Sequence, residues 1–313
     1  MPGTKPFAAR WSREGGAVGL NIRAIVNQGG GSAGADAVGR LRAAFAKAGA
    51  TVEVVATVPD DLARACAEAA AAPGVDVVAV AGGDGTLGTA AAVLAGSGRP
   101  LGILPLGTLN HFARDAGIPL DLEGAVAAIV EGQPKAVDIA EVNGKVFVNN
   151  SSVGLYPHMV RLREAQQDGG RSKRLAMLVA SLATLRSFRK HRLWISAPGL
   201  EAPIETPMLF VGNNRYRVNL FGLGRREAID AGELCLYAIR AHNRARLLWA
   251  GLRGIFGRLD QQRDFVTAYV TEAEISSDRA RLGVATDGEQ AWMETPLIYR
   301  IRPKALTIMA PQK

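Results

Sequence analysis

Apolar and polar positions along this chain follow one period up to about residue 134 and another beyond it. In the first stretch, short apolar runs at residues 22–26, 51–57, 75–81 and 101–104 alternate with longer helix-patterned segments. Those segments fall at about 36–48, 59–72 and 87–95, then in a turn of helix through Asp115 and at about 122–130. Strand and helix in strict alternation predict a parallel sheet built from βα units. The run at 75–81 is almost wholly apolar and rich in Val, as in a strand covered on both faces. The four strand ends, at Asn27, Thr57, Ala81 and Leu104, should lie along the carboxyl edge of that sheet, where ligands of such folds bind.

From Lys135 the texture changes. Runs at 137–142 and 145–150 are joined by Asn143-Gly144, the strongest short signal for a two-residue hairpin. Further β-like runs occupy 193–197, 208–212, 234–240, 265–270, 274–276 and 297–301. Two basic stretches between them, 171–192 and 244–263, are patterned as helices. In the second, Leu247, Leu248, Gly251, Leu252, Ile255, Phe256 and Leu259 share one face, which suits packing on a β domain or lying at an anionic lipid surface. The predicted division is a loose leader over 1–20, an α/β domain over 21–134, a β-rich domain over 135–303 and a tail over 304–313 that packs back on the first domain.

Charge narrows the partners. A formal net charge of +8 over 313 residues favours anionic surfaces, either nucleic acid or acidic lipid headgroups. Only 6% of residues are aromatic and no Lys/Arg-plus-aromatic cluster is visible, so nucleic acid is disfavoured. No apolar run is long enough to span a bilayer, and residues 1–20 have no continuous apolar core of the secretory kind. The expected location is therefore cytoplasmic, peripheral at the inner face of the membrane. Cys66 and Cys235 sit far apart in apolar-patterned segments and read as buried thiols in a reducing compartment. His111, His158, His191 and His242 have no metal-ligand spacing.

The chemistry concentrates where the 75–81 run ends. Gly82, Gly83 and Gly85 leave Asp84 as the one side chain among bare amides, an arrangement that admits an anion. Thr86 is placed to cap the helix predicted over 87–95, whose N-terminus adds partial positive charge. A carboxylate beside a bound phosphate needs a cation between them, so Asp84 is a candidate Mg²⁺ contact, direct or through water. A second match, Gly29, Gly31 and Gly34 with Glu53 downstream, fits the dinucleotide pattern G-x-G-x-x-G. In a chain with 36 glycines that match is cheap, and a nicotinamide domain has no use for the second glycine turn.

Taken as an ordered set, Gly82-Gly83-Asp84-Gly85-Thr86, the segment 104–110 (Leu-Pro-Leu-Gly-Thr-Leu-Asn), Val137-Asp138, the segment 149–154 (Asn-Asn-Ser-Ser-Val-Gly) and Asp287-Gly288-Glu289 resemble the diacylglycerol kinase catalytic-domain family, especially soluble bacterial lipid kinases. The resemblance runs from about Ile22 to Pro303. It implies an NAD kinase/phosphofructokinase-like α/β domain followed by an antiparallel β-sandwich, with ATP and Mg²⁺ in the cleft between them. Carried over by position, Asn27, Gln28, Gly29, Gly30, Gly31 and Thr57 contact the nucleotide. Gly82, Gly83, Asp84, Gly85, Thr86, Leu87 and Gly88 would surround the phosphates, and Thr108 would bond the nucleotide or its phosphates. Glu289 would be the general base, with Asp287 in the same catalytic end, and Asp84 the carboxylate for the catalytic Mg²⁺, with Asp287 as an optional second.

Three positions depart from the family pattern. Gln28 replaces a Pro, Gly88-Thr89 stands for Asn-Glu, and Ala231 stands where some relatives carry an Asp for a structural Mg²⁺, leaving Asp230 adjacent. The implied activity is transfer of the γ-phosphate of ATP to the hydroxyl of diacylglycerol or a related lipid, by an enzyme that visits an anionic bilayer surface and for which a homodimer stays open. NAD kinase and a non-catalytic lipid- or nucleotide-binding regulator are the alternatives.

Overall fold

The computed structural model describes residues 19–29, 36–154, 192–200, 204–219, 222–239 and 265–312. They form two compact units: the first takes residues within 19–139, 146–149 and 302–312, the second those within 140–145 and 150–301. The helices predicted over 171–192 and 244–263, the leader over 1–18, and Gly30, Gly31 and Gly34 lie outside the described residues, apart from Arg192.

In the first unit, β1 (Ile22–Asn27), α1 (Ala37–Lys47), β2 (Val52–Thr57), a 3-10 turn at Pro59–Asp61 leading into α2 (Leu62–Ala71), β3 (Val77–Gly82), α3 (Asp84–Leu94), β4 (Leu101–Pro105), α4 (His111–Ala116) and α5 (Leu122–Val130) follow one another. The strands pair in parallel in the order β2-β1-β3-β4. Every residue of β3 is buried, which is why its sequence carries no polar alternation. Gly102 in β4 lets α5 close on the sheet, since a Cβ there would stand 2.9 Å from the Ile129 Cδ1. The Asp121 carboxylate caps α5 by accepting from the Gly124 N–H at 2.7 Å.

Beyond α5 the chain pairs antiparallel. β5 (Gln133–Val142) and β6 (Lys145–Phe147) form the predicted hairpin. Asn143 and Gly144 both have positive φ, 47° and 81°, as a primed turn requires. The predicted strand over 145–150 is in fact two, because β6 stops at Phe147 and β7 (Asn150–Gly154) begins after it. The division between units is interleaved, and β5 runs through the anticipated boundary at 134/135.

The second unit contains β7, β8 (Leu193–Ser196), β9 (Ile204–Thr206), β10 (Met208–Asn213), β11 (Tyr216–Asn219), β12 (Gly222–Arg226), β13 (Leu234–Ile239), β14 (Phe265–Val270), β15 (Glu272–Ser277), β16 (Arg281–Thr286) and β17 (Glu289–Glu294). Six of them make an antiparallel sheet in the order β14-β13-β10-β7-β16-β17. β15 pairs with β8, which pairs with β9, and with the first residues of β18 (Leu297–Ala310). The last residues of β18 belong to the first unit, where Ile308 pairs in parallel with Leu101 of β4. An α/β parallel-sheet unit and an antiparallel β unit are therefore both present.

Candidate functional site

The parallel register fixes where the strands of the first unit end. Asn27 is opposite Thr57, Val26 opposite Ala81, and Gly82 opposite Pro105. The four ends are thus level, and every loop that leaves them starts from one row.

Side chains then tie those loops together. The Asn27 carboxamide oxygen accepts from the Gly29 N–H at 3.1 Å, and its N–H donates to the Thr86 hydroxyl at 3.0 Å. Asn27 therefore shapes its own turn and anchors it to the glycine turn. Gly29 is required sterically, since a Cβ there would meet the Pro59 Cγ at 2.4 Å. Gln28 is exposed and its N–H donates to the Thr57 carbonyl at 2.9 Å. Thr57 is buried and turns its hydroxyl to the Val58 carbonyl.

The glycine turn differs from expectation in one respect. Helix α3 starts at Asp84 with Gly83 as its N-cap residue, so Thr86 lies inside the first turn and does not cap it. Neither Gly82 nor Gly83 has positive φ; what they supply is space. A Cβ on Gly82 would stand 2.5 Å from the Thr86 Cβ, and one on Gly83 would stand 3.3 Å from the Gly107 Cα. The N–H groups of Asp84, Gly85 and Thr86 have no carbonyl one turn earlier in the helix to bond, which is the general condition of a helix N-terminus. The Leu87 N–H closes the first helical bond to the Gly83 carbonyl, and the Leu87 side chain is fully buried. Leu87 thus serves the core, and the amides before it face the edge. Gly88 is a buried helical residue.

Asp84 holds the next loop. Its Oδ2 accepts from the His111 N–H at 3.0 Å, and its Oδ1 accepts from the Phe112 N–H at 2.9 Å and from the Asn149 carboxamide at 3.1 Å. It caps α4 from outside, because Asn110 at the cap position is occupied elsewhere. The Asn110 oxygen accepts from the Gly107 N–H, and its N–H₂ donates to the Pro105 and Gly107 carbonyls at 3.2 and 2.7 Å. Thr108 stands exposed on this loop. Level strand ends and helix N-terminal amides can receive a phosphate group, and the carboxylate beside them requires a cation in between.

The same residues bear on a magnesium ion. A carboxylate has about four acceptor sites, and three of those on Asp84 are taken. Among the described residues, nothing occupies the remaining site on Oδ2. Among the described residues, no group of three or more His, Cys, Asp or Glu could hold a metal. One open carboxylate site fits a Mg²⁺ that arrives on phosphate oxygens and keeps its waters, since such ions are commonly bound by one or two carboxylates plus substrate phosphates.

In the second unit, Asp287 and Gly288 form the β16–β17 turn with φ of 49° and 91°. The Asp287 Oδ1 accepts from the Asn150 N–H at 3.1 Å while its own N–H donates to the Asn150 carbonyl at 2.9 Å. Glu289 opens β17 with its side chain 61% exposed, and Lys145 stands 3.6 Å away. The loop containing Asp230 and Ala231 is closed by Asn214, whose oxygen accepts from the Ala231 N–H at 3.0 Å and the Glu233 N–H at 3.5 Å.

Two residues that organise the first-unit loops, Asn110 and Asn149, carry no expected role from sequence, although they lie within the segments 104–110 and 149–154. Their signal was the residue type, since a buried Asn at a strand end commonly shapes the loop beside it. The dinucleotide match fails on geometry. Glu53 is the second residue of β2, paired with Arg23 at 2.6 Å and four positions short of the Thr57 strand end. At about 3.3 Å per residue that is far from any ribose on the carboxyl edge.

Residues 21–142 match the family model described as the diacylglycerol kinase catalytic domain. Proteins named "Probable lipid kinase YegS-like" are similar over parts of the chain. That of Pseudomonas aeruginosa is 44% identical over 39% of this chain and 41% of its own. That of Cronobacter sakazakii is 33% identical over 50% and 53%. That of Pectobacterium atrosepticum is 34% identical over 58% and 60%. The chain spans about half the length of the curated relatives it matches. A crystal structure described as a diacylglycerol kinase from Bacillus anthracis superposes with a TM-score of 0.65 at 21% identity, covering 93% of this chain and 96% of the other, which shows a shared fold.

Proposed function

We propose, from the match of residues 21–142 to the diacylglycerol kinase catalytic-domain model, that the chain is an ATP-dependent lipid kinase. The observation that carries the reading is the turn at Asp84. Three helix N-terminal amides and one carboxylate with a single open acceptor site sit at the carboxyl edge of the parallel sheet, inside the stretch that matches the family. Those amides bind the β- and γ-phosphates, and Thr108 and the loop at Asn27 take the rest of the nucleotide.

Phosphoryl transfer asks a protein for positioning and charge stabilisation more than for covalent work. Asp84 would hold, directly or through water, a Mg²⁺ that arrives with the phosphates, and the ion would supply charge neutralisation. Glu289 accepts the proton of the lipid hydroxyl as its oxygen bonds to the γ-phosphorus and the bond to the ADP oxygen breaks. Asp287 sets the turn that presents Glu289. The acceptor in this reading is diacylglycerol or a related lipid. The net charge of +8 favours visits to an anionic cytoplasmic bilayer face, and among the described residues no helix is long and apolar enough to cross it.

The test is transfer from γ-labelled ATP to a panel of lipids in mixed micelles, with NAD as a separate acceptor. Labelled lipid phosphate is the expected product. Label on NAD instead makes the protein an NAD kinase, and ATP binding without product from any acceptor makes it a regulator.

A further inference from the structure

Asn149 reaches from one motif to another. It is 2% exposed, and its carboxamide N–H donates to the Asp84 Oδ1 across 65 residues of sequence. With the Phe112 N–H on the same atom, Oδ1 has both acceptor sites filled. Among the described residues, Oδ2 accepts only from the His111 N–H. The two oxygens of one carboxylate are thereby made unequal, and Asn149 is the side chain that does it.

We propose that Asn149 is a positioning residue: by occupying Oδ1 it fixes the rotation of the Asp84 carboxylate and leaves Oδ2 as the one oxygen able to receive a water or cation of the nucleotide's metal complex. The inference rests on the kinase reading and deepens it. The helix amides reach Asp84 through the backbone, which no side-chain substitution removes. The Asn149 contact is the adjustable member of the three. Loss of the donor lets Oδ1 compete for the same water or ion, in a different direction, and the metal-dependent part of nucleotide binding suffers while the metal-independent part does not.

Asn149→Asp keeps the shape and replaces the donor by a second carboxylate oxygen; Asn149→Ala removes the group; Asn149→Ser keeps a shorter donor. Each is compared with wild type by thermal melting, by titration with ATP in EDTA and in excess Mg²⁺, and by kcat and KM for ATP and lipid. Expected for Asn149→Ala is metal-free ATP affinity within about twofold of wild type, whereas Asn149→Asp sets a second carboxylate beside the phosphates and weakens metal-free binding further. The gain in affinity on adding Mg²⁺ and the kcat should each be cut by about 10- to 100-fold, the scale seen for residues that orient metal-binding groups. The lipid KM stays unchanged, and Asn149→Ser falls between. Variants that melt as wild type and keep the full Mg²⁺ gain overturn the proposal. So does a parallel loss of metal-free and metal-dependent binding in all three, which marks a purely structural residue. A wild type that binds ATP yet phosphorylates no lipid, with the Mg²⁺ gain still sensitive to Asn149, removes the kinase reading and leaves the positioning role standing.

Discussion

The Gly83 and Gly107 backbones are in contact, so the glycine turn after β3 and the loop after β4 lock together with no side chain between them. A Cβ built on Gly107 would stand 2.4 Å from the Gly83 Cα and 2.8 Å from the Asn110 Oδ1, whereas one on Gly83 meets only the Gly107 Cα at 3.3 Å. Neither glycine has positive φ, so the requirement is one of space.

Gly107→Ala must therefore push two backbones apart, and overpacking of this kind costs about 1–3 kcal/mol. Gly83→Ala needs a shift of a few tenths of an ångström and should cost less. Thermal melting should place Gly107→Ala below Gly83→Ala, with a larger loss of ATP affinity in the first. Equal melting temperatures for the two would show that the contact does not constrain the loops.

Asn110 carries the β4–α4 loop on three hydrogen bonds and sits at φ 50°. Removing three bonds of about 0.5–1.5 kcal/mol each, and placing Ala in the left-handed region at about 1–2 kcal/mol, predicts a loss of several kcal/mol for Asn110→Ala. Asn110→Gly loses the same bonds without the backbone strain, so it should be the more stable variant by about 1 kcal/mol. Urea unfolding of both variants separates the two contributions. An Ala variant as stable as the Gly variant would remove the backbone part of the account.

Glu289 is exposed and, among the described residues, pairs with Lys145 at 3.6 Å, a surface pair of the kind worth about 0–1 kcal/mol. Glu289→Gln should leave the melting temperature and ATP affinity close to wild type while kcat falls by about 10² to 10⁴. Asp287→Ala is a poor probe of chemistry by comparison, because it also strains the turn and drops the bond to the Asn150 N–H. Turnover undiminished in Glu289→Gln would end its assignment as base.

The sequence was readable wherever a local rule agreed with the tertiary demand. β3 announced itself because both faces are buried, and the β5–β6 hairpin because Asn143-Gly144 must take positive φ. Asp287-Gly288 carries the same hairpin signal, and that turn, with an exposed Glu289 after it, is what the structure has between β16 and β17. α3 was placed three residues late because glycine at its N-cap and second position lowers helix propensity, while packing of the turn against Gly107 starts the helix anyway. β18 was cut at Ile301 by Pro303, but its last residues gain a partner in β4 that local pattern does not disclose. The Asp84 contacts to His111, Phe112 and Asn149 join residues 27, 28 and 65 positions away, beyond any local rule.

The two thiols give a test of the cores that needs no substrate. Cys66 on α2 and Cys235 on β13 are both fully buried, and burial pushes them up from the ordinary thiol range, to about 12 and about 11 respectively. In the unfolded chain a thiol ionises near 8.5. As pH rises past that value the unfolded state loses protons that the folded state keeps, so stability falls with rising pH until the folded thiols themselves ionise. The stabilising contribution is thus complete below about pH 8 and is lost between about 8.5 and 11–12. Each thiol can contribute a slope of at most about 1.4 kcal/mol per pH unit. Burial also raises Tyr237 and Tyr299, but unfolded tyrosines ionise only near 10, so the window from about 8.5 to 9.5 belongs to the thiols. Urea unfolding across that window should show a falling stability in wild type, a shallower fall in Cys66→Ala or Cys235→Ala, and a nearly flat line in the double variant. Wild-type stability that holds constant to pH 9.5, or a double variant that falls as steeply as wild type, would mean that water reaches these sulfurs and that the two cores are looser than the structure shows.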